Sequence, residues 1–385
     1  MKKILLIAIC AGVYNFASAQ DTKIRFFGQP EISNSSTKQT NNFVGVGPTG
    51  QYIKNDSSFS KSNFNTGTFA LFVTSQLSDR ISVLSEVSFS STGNKSSFEL
   101  QRLMLRYNIQ DYFSIRAGKM FTPIGYWNNQ FTLGLILQPT IQRPQALRTV
   151  ADGGVLQYKD NGIQVEGENI TSARLSYKVL VGNGIGYYGS NDKADHHVAV
   201  TGQVAAEPAD GLKIIASGMF DRVQKGKPNP NGTIAALPDD GNLSLLVGSV
   251  AYMNPEKKAE FIAEFLHQTT TFDNIGKRTS YSGYFYGGYK VTDKITPYFL
   301  YNYTQAGAST TQADPYFAPL PVNINSLTIG ARYKFNSNFV VKVEYENTLT
   351  NTLYQDITAG GVTLDKGFTS ASKNNTLRMQ LAFVF

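Results

Sequence analysis

The chain has 385 residues, of which 41% are hydrophobic and 16% are charged, and this charged share is too low for a long disordered protein. Its mean hydropathy of −0.21 excludes a bundle of membrane-spanning helices, which needs several apolar stretches of about 20 residues. A single cysteine excludes a disulfide framework, and a formal charge of +7 without a run of basic residues gives no support for nucleic-acid binding.

The N-terminus has the pattern of a secretory signal peptide. A short apolar run follows Lys3, and residues 17–19 (Ala-Ser-Ala) fit an A-x-A cleavage site. The apolar run is too short to anchor the chain across a bilayer. We therefore expect residues 1–19 to be removed on export, which leaves residues 20–385 as a single domain. Cleavage would also remove Cys10, the one thiol of the chain.

Most of the remaining chain alternates apolar and polar residues with a period of two. Leu103, Leu105 and Tyr107, for example, alternate with Arg102 and Arg106. Because successive side chains of a strand point to opposite faces, each such segment predicts a strand with one apolar and one polar face. No long segment has the period of an amphipathic helix, so the pattern predicts an all-β protein.

Short and long connections alternate along this series of strands. With residues 22–31 as the first strand and residues 32–63 as the first long loop, the count is seven turns, eight loops and sixteen strands. Transmembrane barrels have short periplasmic turns and longer external loops, and a tilted crossing needs about 9–11 residues per strand. We therefore predict a transmembrane antiparallel β-barrel of about 16 strands. A secreted β-sandwich or β-helix, which can also contain amphipathic strands, is the alternative.

A barrel of this size leaves an aqueous channel whose selectivity is set by its narrowest part. The longest connection, residues 121–160, is the third external loop, and its charged residues include Arg143, Arg148, Asp152 and Lys159. The candidate pore-lining or constriction residues belong to this loop and to the polar faces of its neighbouring strands: Arg102, Arg106, Arg116, Arg143, Arg148 and Asp152. Clustered arginines favour anions, although ion pairs with loop carboxylates such as Asp152 would explain them equally well.

A second set of charged residues lies on the predicted inner faces of later strands. These residues are acidic: Glu260, Glu264, Glu344 and Glu346. They predict a negative far wall and a transverse field across the lumen. The segment 243–253 is apolar on both predicted faces, which indicates contact of its inner or outer face with a loop or with a neighbouring subunit.

The C-terminal segment resembles a known assembly signal. Residues 376–385 (TLRMQLAFVF) resemble the closing strand of Gram-negative outer-membrane barrels, which ends in an aromatic residue that the barrel-assembly machinery reads. The resemblance implies that Phe385 is an assembly signal and that the protein is located in the cell outer membrane. The residues around the cleavage site are also similar to exported proteins of Bacteroidota.

Internal segments resemble one porin group. Residues 115–125 (IRAGKMFTPIG), together with residues 160–167 and 177–184, are similar to segments of the phosphate-selective porin O/P-like superfamily. The resemblance implies a porin whose loop 121–160 folds into the barrel as a constriction, and it implies a homotrimer. The chain lacks the full ladder of basic residues that the phosphate specialists of this group carry.

These features predict an outer-membrane porin that allows passive diffusion of small hydrophilic solutes or ions, with a mild anion preference. The expected partners are outer-membrane lipid and lipopolysaccharide, the barrel-assembly machinery, small hydrophilic or anionic solutes, and further copies of the chain in a trimer; nucleic acid is not expected. We predict no enzymatic activity, no cofactor and no metal site, because the adjacent His196 and His197 point to opposite faces of a strand and no nucleotide-binding motif is present.

Two alternatives stay open at this point. A barrel for hydrophobic-solute uptake is suggested by Tyr284, Tyr286 and Tyr298 on a predicted inner face. An adhesin or scaffold barrel that acts through its external loops is suggested by the eight mostly polar loops.

Overall fold

The structure is a computed structural model. It describes residues 21–46, 52–92, 95–110, 112–131, 138–148, 156–184, 197–227, 236–254, 256, 258–274, 276–306, 322–353, 357–359, 362–365 and 369–385. The predicted signal peptide, residues 1–19, lies outside the described residues.

The described residues form twenty strands and two short helical segments. The first ten strands are β1 (Asp21–Gly28), β2 (Glu31–Val46), β3 (Tyr52–Asn65), β4 (Gly67–Gln76), β5 (Ile81–Thr92), β6 (Lys95–Gln110), β7 (Phe113–Phe121), β8 (Lys159–Gly167), β9 (Ser176–Gly182) and β10 (Ala199–Ala209). The others are β11 (Leu212–Val223), β12 (Gly241–Met253), β13 (Ala259–Phe272), β14 (Gly276–Tyr289), β15 (Ile295–Ala306), β16 (Val322–Lys334), β17 (Phe339–Leu353), β18 (Ile357–Ala359), β19 (Val362–Asp365) and β20 (Thr369–Val384).

The helical segments both lie between β7 and β8. They are helix α1 (Trp127–Gln130) and a 3₁₀ turn (Gln145–Leu147). Within the described part of the chain, no helix has the length and hydropathy needed to cross a membrane.

Eighteen strands form one antiparallel sheet that closes into a barrel. β1 and β2 together make one barrel strand, which is interrupted at Gln29 and Pro30, and β3 and β4 make the next, which is interrupted at Thr66. β20 pairs with β17 on one side and with β2 and the end of β1 on the other. The barrel therefore has sixteen strands, which confirms the predicted fold and strand number.

The interruption of the first two barrel strands has a local cause. Proline has no amide hydrogen to donate to a ladder, so Pro30 ends the regular pairing of β1. Opposite it, Gly67 has a φ of 73°, and a Cβ there would lie 1.8 Å from the carbonyl oxygen of Gln29. Only glycine fits this close approach of two backbones.

The first external connection is much shorter than the alternation pattern predicts. Residues 32–63 were expected to be a loop, but β2 and β3 pair from Glu31 and Asn65 up to Val46 and Tyr52. Their outer halves are rich in serine, threonine and asparagine on both faces. A strand that faces water on both sides shows no apolar alternation, which explains why the pattern predicts a loop there.

The barrel has an apolar outer face and a polar inner face. On β17, the outward side chains of Val343 and Tyr345 are 42% and 49% exposed, whereas the inward side chains of Lys342 and Glu344 are fully buried. Exposed apolar side chains around a polar interior are the reverse of a soluble sheet and are typical of a transmembrane barrel.

One side of the barrel departs from this pattern because its interior is also apolar. On β12, Leu245 and Val247 point inward and are buried, while Leu246 and Val250 point outward and are exposed. The inward residues belong to a buried cluster with residues of the connection between β7 and β8. The apolar inner face of segment 243–253 therefore packs against a loop, which is one of the two contacts that its sequence indicates.

Candidate functional site

The connection between β7 and β8 lies within the loop 121–160, and its described parts pack against the inner wall of the barrel. Its described parts are residues 122–131, 138–148 and 156–158, and we call them the inner loop. The two limbs of the loop meet at its base, where the Thr122 amide donates to the Tyr158 carbonyl at 3.1 Å and the Thr122 hydroxyl donates to the Gln157 carbonyl at 2.6 Å. From this base the loop crosses to the opposite wall.

A buried carboxylate on β13 holds the start of helix α1. Glu264 is 3% exposed and accepts hydrogen bonds from the amides of Tyr126 at 2.8 Å and Trp127 at 2.9 Å. The hydroxyls of Ser249 and Tyr284 also donate to it. This carboxylate thus replaces the water that the two amides would otherwise bind, and it fixes the loop to the wall.

The residue before these amides must be glycine. Gly125 has a φ of 66°, and a Cβ there would lie 2.1 Å from Glu264 Oε2. The Gly125 amide donates to Ser217 Oγ at 3.0 Å, and its carbonyl accepts from Gln203 Nε2 at 3.0 Å. The chain therefore passes against the wall with no room for a side chain.

Further along, the inner loop is fixed to β15 and β17. The Ile141 amide donates to Glu344 Oε1 at 2.6 Å, and Lys342 Nζ donates to the Thr140 carbonyl at 3.2 Å. The Gln145 amide donates to Asn302 Oδ1 at 3.0 Å. Together with the contacts around Gly125, these bonds connect the loop to β10, β11, β13, β15 and β17.

Aromatic packing covers the same wall. Trp127 is fully buried, and its ring centroid lies 5.6 Å from that of Tyr284 and 5.8 Å from that of Tyr286. Burial raises the pKa of Tyr126 to about 12, with further contributions from Glu260, Glu264 and Glu207. The inner aromatic wall that suggested uptake of hydrophobic solutes is therefore packed against the protein's own loop.

The candidate arginines lie on the other side of the lumen. Arg102 is 4% exposed and its Nε donates to Glu86 Oε2 at 2.7 Å, while its guanidinium lies 4.8 Å from the Phe121 ring centroid. Arg106 and Arg116 share Glu166 Oε1, at 3.2 Å and 2.6 Å. The carboxylates that these arginines contact belong to wall strands rather than to the loop.

A cavity of about 560 Å³ separates this basic wall from Asn129 and Gln130 of the inner loop. A second cavity, of about 680 Å³, lies among the turns that follow β4, β6 and β8, and Arg106 and Glu168 line both cavities. The two spaces therefore adjoin, and they extend from the middle of the lumen to the turn end of the barrel. This is the part of the lumen that the inner loop leaves open.

A lysine that is not among the candidates predicted from the sequence, Lys178, also lines the first cavity. Lys178 Nζ donates to Asn129 Oδ1 of the inner loop at 3.3 Å, and within the described part of the chain no carboxylate lies within salt-bridge distance of it. The sequence contains a signal for this residue. The predicted hairpin of residues 160–167 and 177–184 places Lys178 opposite Glu166 of β8, on the same face of the sheet.

The charges around the first cavity are close to balance. The cationic side chains outnumber the carboxylates by one. The five cations are Lys23, Arg102, Arg106, Arg116 and Lys178, and the four carboxylates are Asp21, Glu86, Glu166 and Glu168. A small positive excess favours anions only weakly.

The candidate arginines of the loop have a different position. Arg143 Nη2 donates to Asn128 Oδ1 at 2.8 Å, its guanidinium lies 5.2 Å from the Tyr158 ring centroid, and burial lowers its pKa. Arg148 Nε donates to the Arg143 carbonyl at 3.3 Å. Neither residue lines the two cavities, and both connect parts of the loop to each other. The candidate Asp152 lies outside the described residues.

The expected negative far wall is not an open row of carboxylates. Glu264 and Glu344 hold the inner loop, Glu260 pairs with Arg332 at 2.7 Å, and Glu346 pairs with Arg378 at 2.5 Å. The expectation was wrong because all four carboxylates have donors from the loop or from neighbouring strands, which alternation within one strand does not reveal. Within the described residues, no group of three or more His, Cys, Asp or Glu side chains is placed to hold a metal ion.

No protein-family model matches the chain, and neither does any curated protein sequence. Solved outer-membrane proteins are similar to it over nearly its whole length. The anion-selective porin from Comamonas acidovorans is 12% identical, with a TM-score of 0.59 over 94% of this chain and 100% of that one. Outer-membrane expressed OmpT of Vibrio cholerae is 16% identical, with a TM-score of 0.58 over 96% and 99%. The outer membrane channel DcaP of Acinetobacter baumannii is 12% identical, with a TM-score of 0.57 over 95% and 97%. The chain therefore has the fold of outer-membrane β-barrels, including porins, with sixteen antiparallel strands.

Proposed function

We propose that this protein is an outer-membrane channel, rather than an enzyme, that lets small hydrophilic solutes or ions diffuse passively with a mild anion preference. The path runs beside the inner loop, between the basic wall and helix α1, and not along the barrel axis. Arg102, Arg106 and Arg116 line this path, whereas Arg143 and Arg148 stabilise the loop that narrows it.

The adjoining cavities carry this proposal. They total more than a thousand cubic ångströms, at about 560 and 680 Å³, and both are lined mainly by polar and charged side chains. A polar lining allows water and hydrated solutes to enter, because every wall group that loses a water can form another hydrogen bond. The similarity to an anion-selective porin supports the same class of function.

Planar-bilayer recording tests whether the channel conducts. We expect purified protein to give stable ohmic conductance. In a salt gradient, we expect the sign of the zero-current potential to show that anions pass more readily than cations. A barrel that inserts but passes no current would reject the proposal and would favour an adhesin or scaffold role.

Lys178 gives the sharpest test of selectivity. Lys178→Gln removes a charge from the cavity without breaking a salt bridge, unlike substitution of Arg106 or Arg116, each of which would remove one of the two guanidinium groups that pair with Glu166. We expect the anion-to-cation permeability ratio to fall by about twofold at low salt and less at high salt. Lys294→Gln, at an exposed turn outside the lumen, is the matched control and should leave the ratio unchanged. Equal ratios for both variants would exclude a role for Lys178 in selectivity.

The remaining expectations about export and assembly are part of the same proposal. Phe385 is 66% exposed and stacks on Phe26, at 6.0 Å between ring centroids, so it is accessible as an assembly signal. A homotrimer is supported by similarity to the trimer form of OmpT of Vibrio cholerae. Membership of the phosphate-selective superfamily is supported by the resemblance of segment 115–125 to that group. The same segment supplies Arg116 of the basic wall and Gly125 of the loop.

A further inference from the structure

The outer surface of β2, β20 and β17 changes from apolar to polar along rows of paired residues. The strand register aligns one outward residue from each strand in every row. From the turn end towards the loop end, the rows are Ile32–Met379–Val343, Asn34–Leu377–Tyr345, Ser36–Asn375–Asn347 and Lys38–Lys373–Leu349. The first row is apolar, the third consists of amides and a hydroxyl, and the fourth contains two lysines.

Hydrogen bonds mark the boundary between the apolar and polar rows. The Tyr345 hydroxyl donates to Asn375 Oδ1 at 3.0 Å, and Asn347 Nδ2 donates to the same atom at 2.6 Å. Beside them, Asn34 Nδ2 donates to Ser62 Oγ at 2.8 Å. A tyrosine with an apolar ring and a bonded hydroxyl is typical of the membrane–water interface, so this boundary lies at the level of lipid headgroups.

The length of β20 places the lysine row at the outer interface. Lys373 lies ten residues from Phe383, which pairs with Phe339 at the turn end of β17. At about 3.3 Å per residue and a tilt of about 40°, ten residues rise by about 25 Å, which is the usual height of the apolar band of such barrels.

The two lysines form a pair of like charges that no described carboxylate compensates. Lys38 and Lys373 are directly opposite each other on adjacent strands and both are exposed. Within the described part of the chain, neither has a carboxylate within salt-bridge distance. The acid closest to Lys38 in register on β3, Asp56, lies two residues beyond its partner Ser58 and has an interaction of its own. Like charges directly opposite each other destabilise a strand pair unless an anion lies between them.

We propose that this surface binds the phosphorylated headgroup of a glycolipid in the outer leaflet. The ammonium groups of Lys38 and Lys373 bind one phosphate between them. The amides and hydroxyls of the row below, such as Asn375 and Ser36, bind sugar hydroxyls, and the acyl chains lie along Met379 and Ile32. The occupant must present an anion, hydroxyl groups and apolar chains in this order, which an acidic soluble protein or free phosphate does not do.

Native mass spectrometry of the purified protein in nonionic detergent tests this proposal. The probes are lipid A with two phosphates, enzymatically dephosphorylated lipid A, and inorganic phosphate alone. We expect the wild-type chain to retain the two-phosphate form and to bind the other two probes at least about tenfold more weakly. The double variant Lys38→Gln/Lys373→Gln should lose about tenfold in affinity for the two-phosphate form, and this loss should shrink as salt is added.

The chain offers a matched control at the opposite rim. Lys294 and Lys334 also adjoin on neighbouring strands, where the Lys334 amide donates to the Lys294 carbonyl at 2.8 Å. Lys294→Gln/Lys334→Gln removes the same charge from the turn end and should bind lipid A as the wild-type chain does. Equal affinity in the two double variants, or equal retention of dephosphorylated lipid A, would overturn the proposal. A changed oligomeric state with unchanged lipid binding would also overturn it and would assign the row to a contact between copies. Conductance is not involved in any of these outcomes, so the channel proposal stands or falls separately.

Discussion

Replacement of Glu264 by glutamine is expected to release the inner loop without opening the barrel. Each carboxylate oxygen of Glu264 accepts one backbone amide and one hydroxyl: Oε1 from Trp127 and Tyr284, and Oε2 from Tyr126 and Ser249. In Glu264→Gln one oxygen becomes an amide that donates. The hydroxyl beside this amide can rotate and accept from it, but the backbone N–H beside it cannot.

One buried backbone donor is therefore left without an acceptor, whichever way the glutamine side chain is oriented. An unsatisfied buried donor costs about 1–3 kcal/mol, and the other bonds also weaken because the acceptor has lost its charge. The strand ladders of the wall do not involve this carboxylate. The substitution therefore destabilises the attachment of the loop to the wall and not the barrel itself. A loss of this size shifts the equilibrium between seated and released loop by about fivefold to more than a hundredfold.

Trp127 reports this equilibrium directly because it is the one tryptophan of the chain and is fully buried in the seated loop. We expect Glu264→Gln to give red-shifted emission, stronger quenching by acrylamide and a larger single-channel conductance. Heat-modifiable migration in gels should show that the barrel itself stays folded.

Glu260→Gln is the matched control for this experiment. Glu260 lies on the same inner face of β13, but its partners, Tyr286 and Arg332, belong to the wall. Its variant should keep the emission and quenching of the wild-type chain. If Glu264→Gln also keeps them, and conducts as the wild-type chain does, the loop is held by apolar packing alone and our reasoning about the carboxylate is refuted.

Two further substitutions test the packing of the loop and the orientation of the wall. Trp127→Ala should destabilise the packed loop by about 3–5 kcal/mol and make it susceptible to limited proteolysis. Trp127→Phe should keep most of the protection from cleavage. Equal cleavage of the two variants would contradict the packing of Trp127. Val343→Arg should reduce the folded fraction in lipid, because a charge facing the bilayer costs about 2–4 kcal/mol. Lys342→Ala, on the opposite face of β17, should leave the barrel folded and alter its conductance. If the two phenotypes were exchanged, the inner and outer faces of β17 would be assigned the wrong way round.

The sequence predicts the barrel well because its strands obey a local rule. Alternation of residues such as Val343 and Tyr345 with Lys342 and Glu344 assigns each side chain to a face without knowledge of any other strand. The same rule fails in β2 and β3, where both faces are polar and residues 32–63 resemble a loop. It also says nothing about partners across the lumen, so Glu264 appears as one more inward acid although it holds the loop.

The basic wall could be predicted only in part for a related reason. Arg102, Arg106 and Arg116 lie on adjacent strands, so the hairpin pattern brings them together correctly. The selection of Arg143 with them rested on loop membership, and the structure places Arg143 against Asn128 and Tyr158 inside the loop. The predicted hairpin places Lys178 opposite Glu166, but its contact with Asn129 of the inner loop joins two segments that no alternation pattern relates, and Lys178 was therefore missed.

The division of the lumen into a packed half and a wet half follows from the composition of its walls. Strands β11 to β13 carry inward residues such as Met219, Leu245 and Ile262, which gain stability only when they are covered. The inner loop covers them with Ile124, Trp127 and Leu147. Several of its backbone amides donate to side chains of β11, β13, β15 and β17. The wall of β5 to β9 carries charged residues that would lose hydration if the loop packed there instead. The loop therefore has one favourable side on which to fold, and the side that it leaves open is the one where Arg106 and Arg116 stay partly exposed.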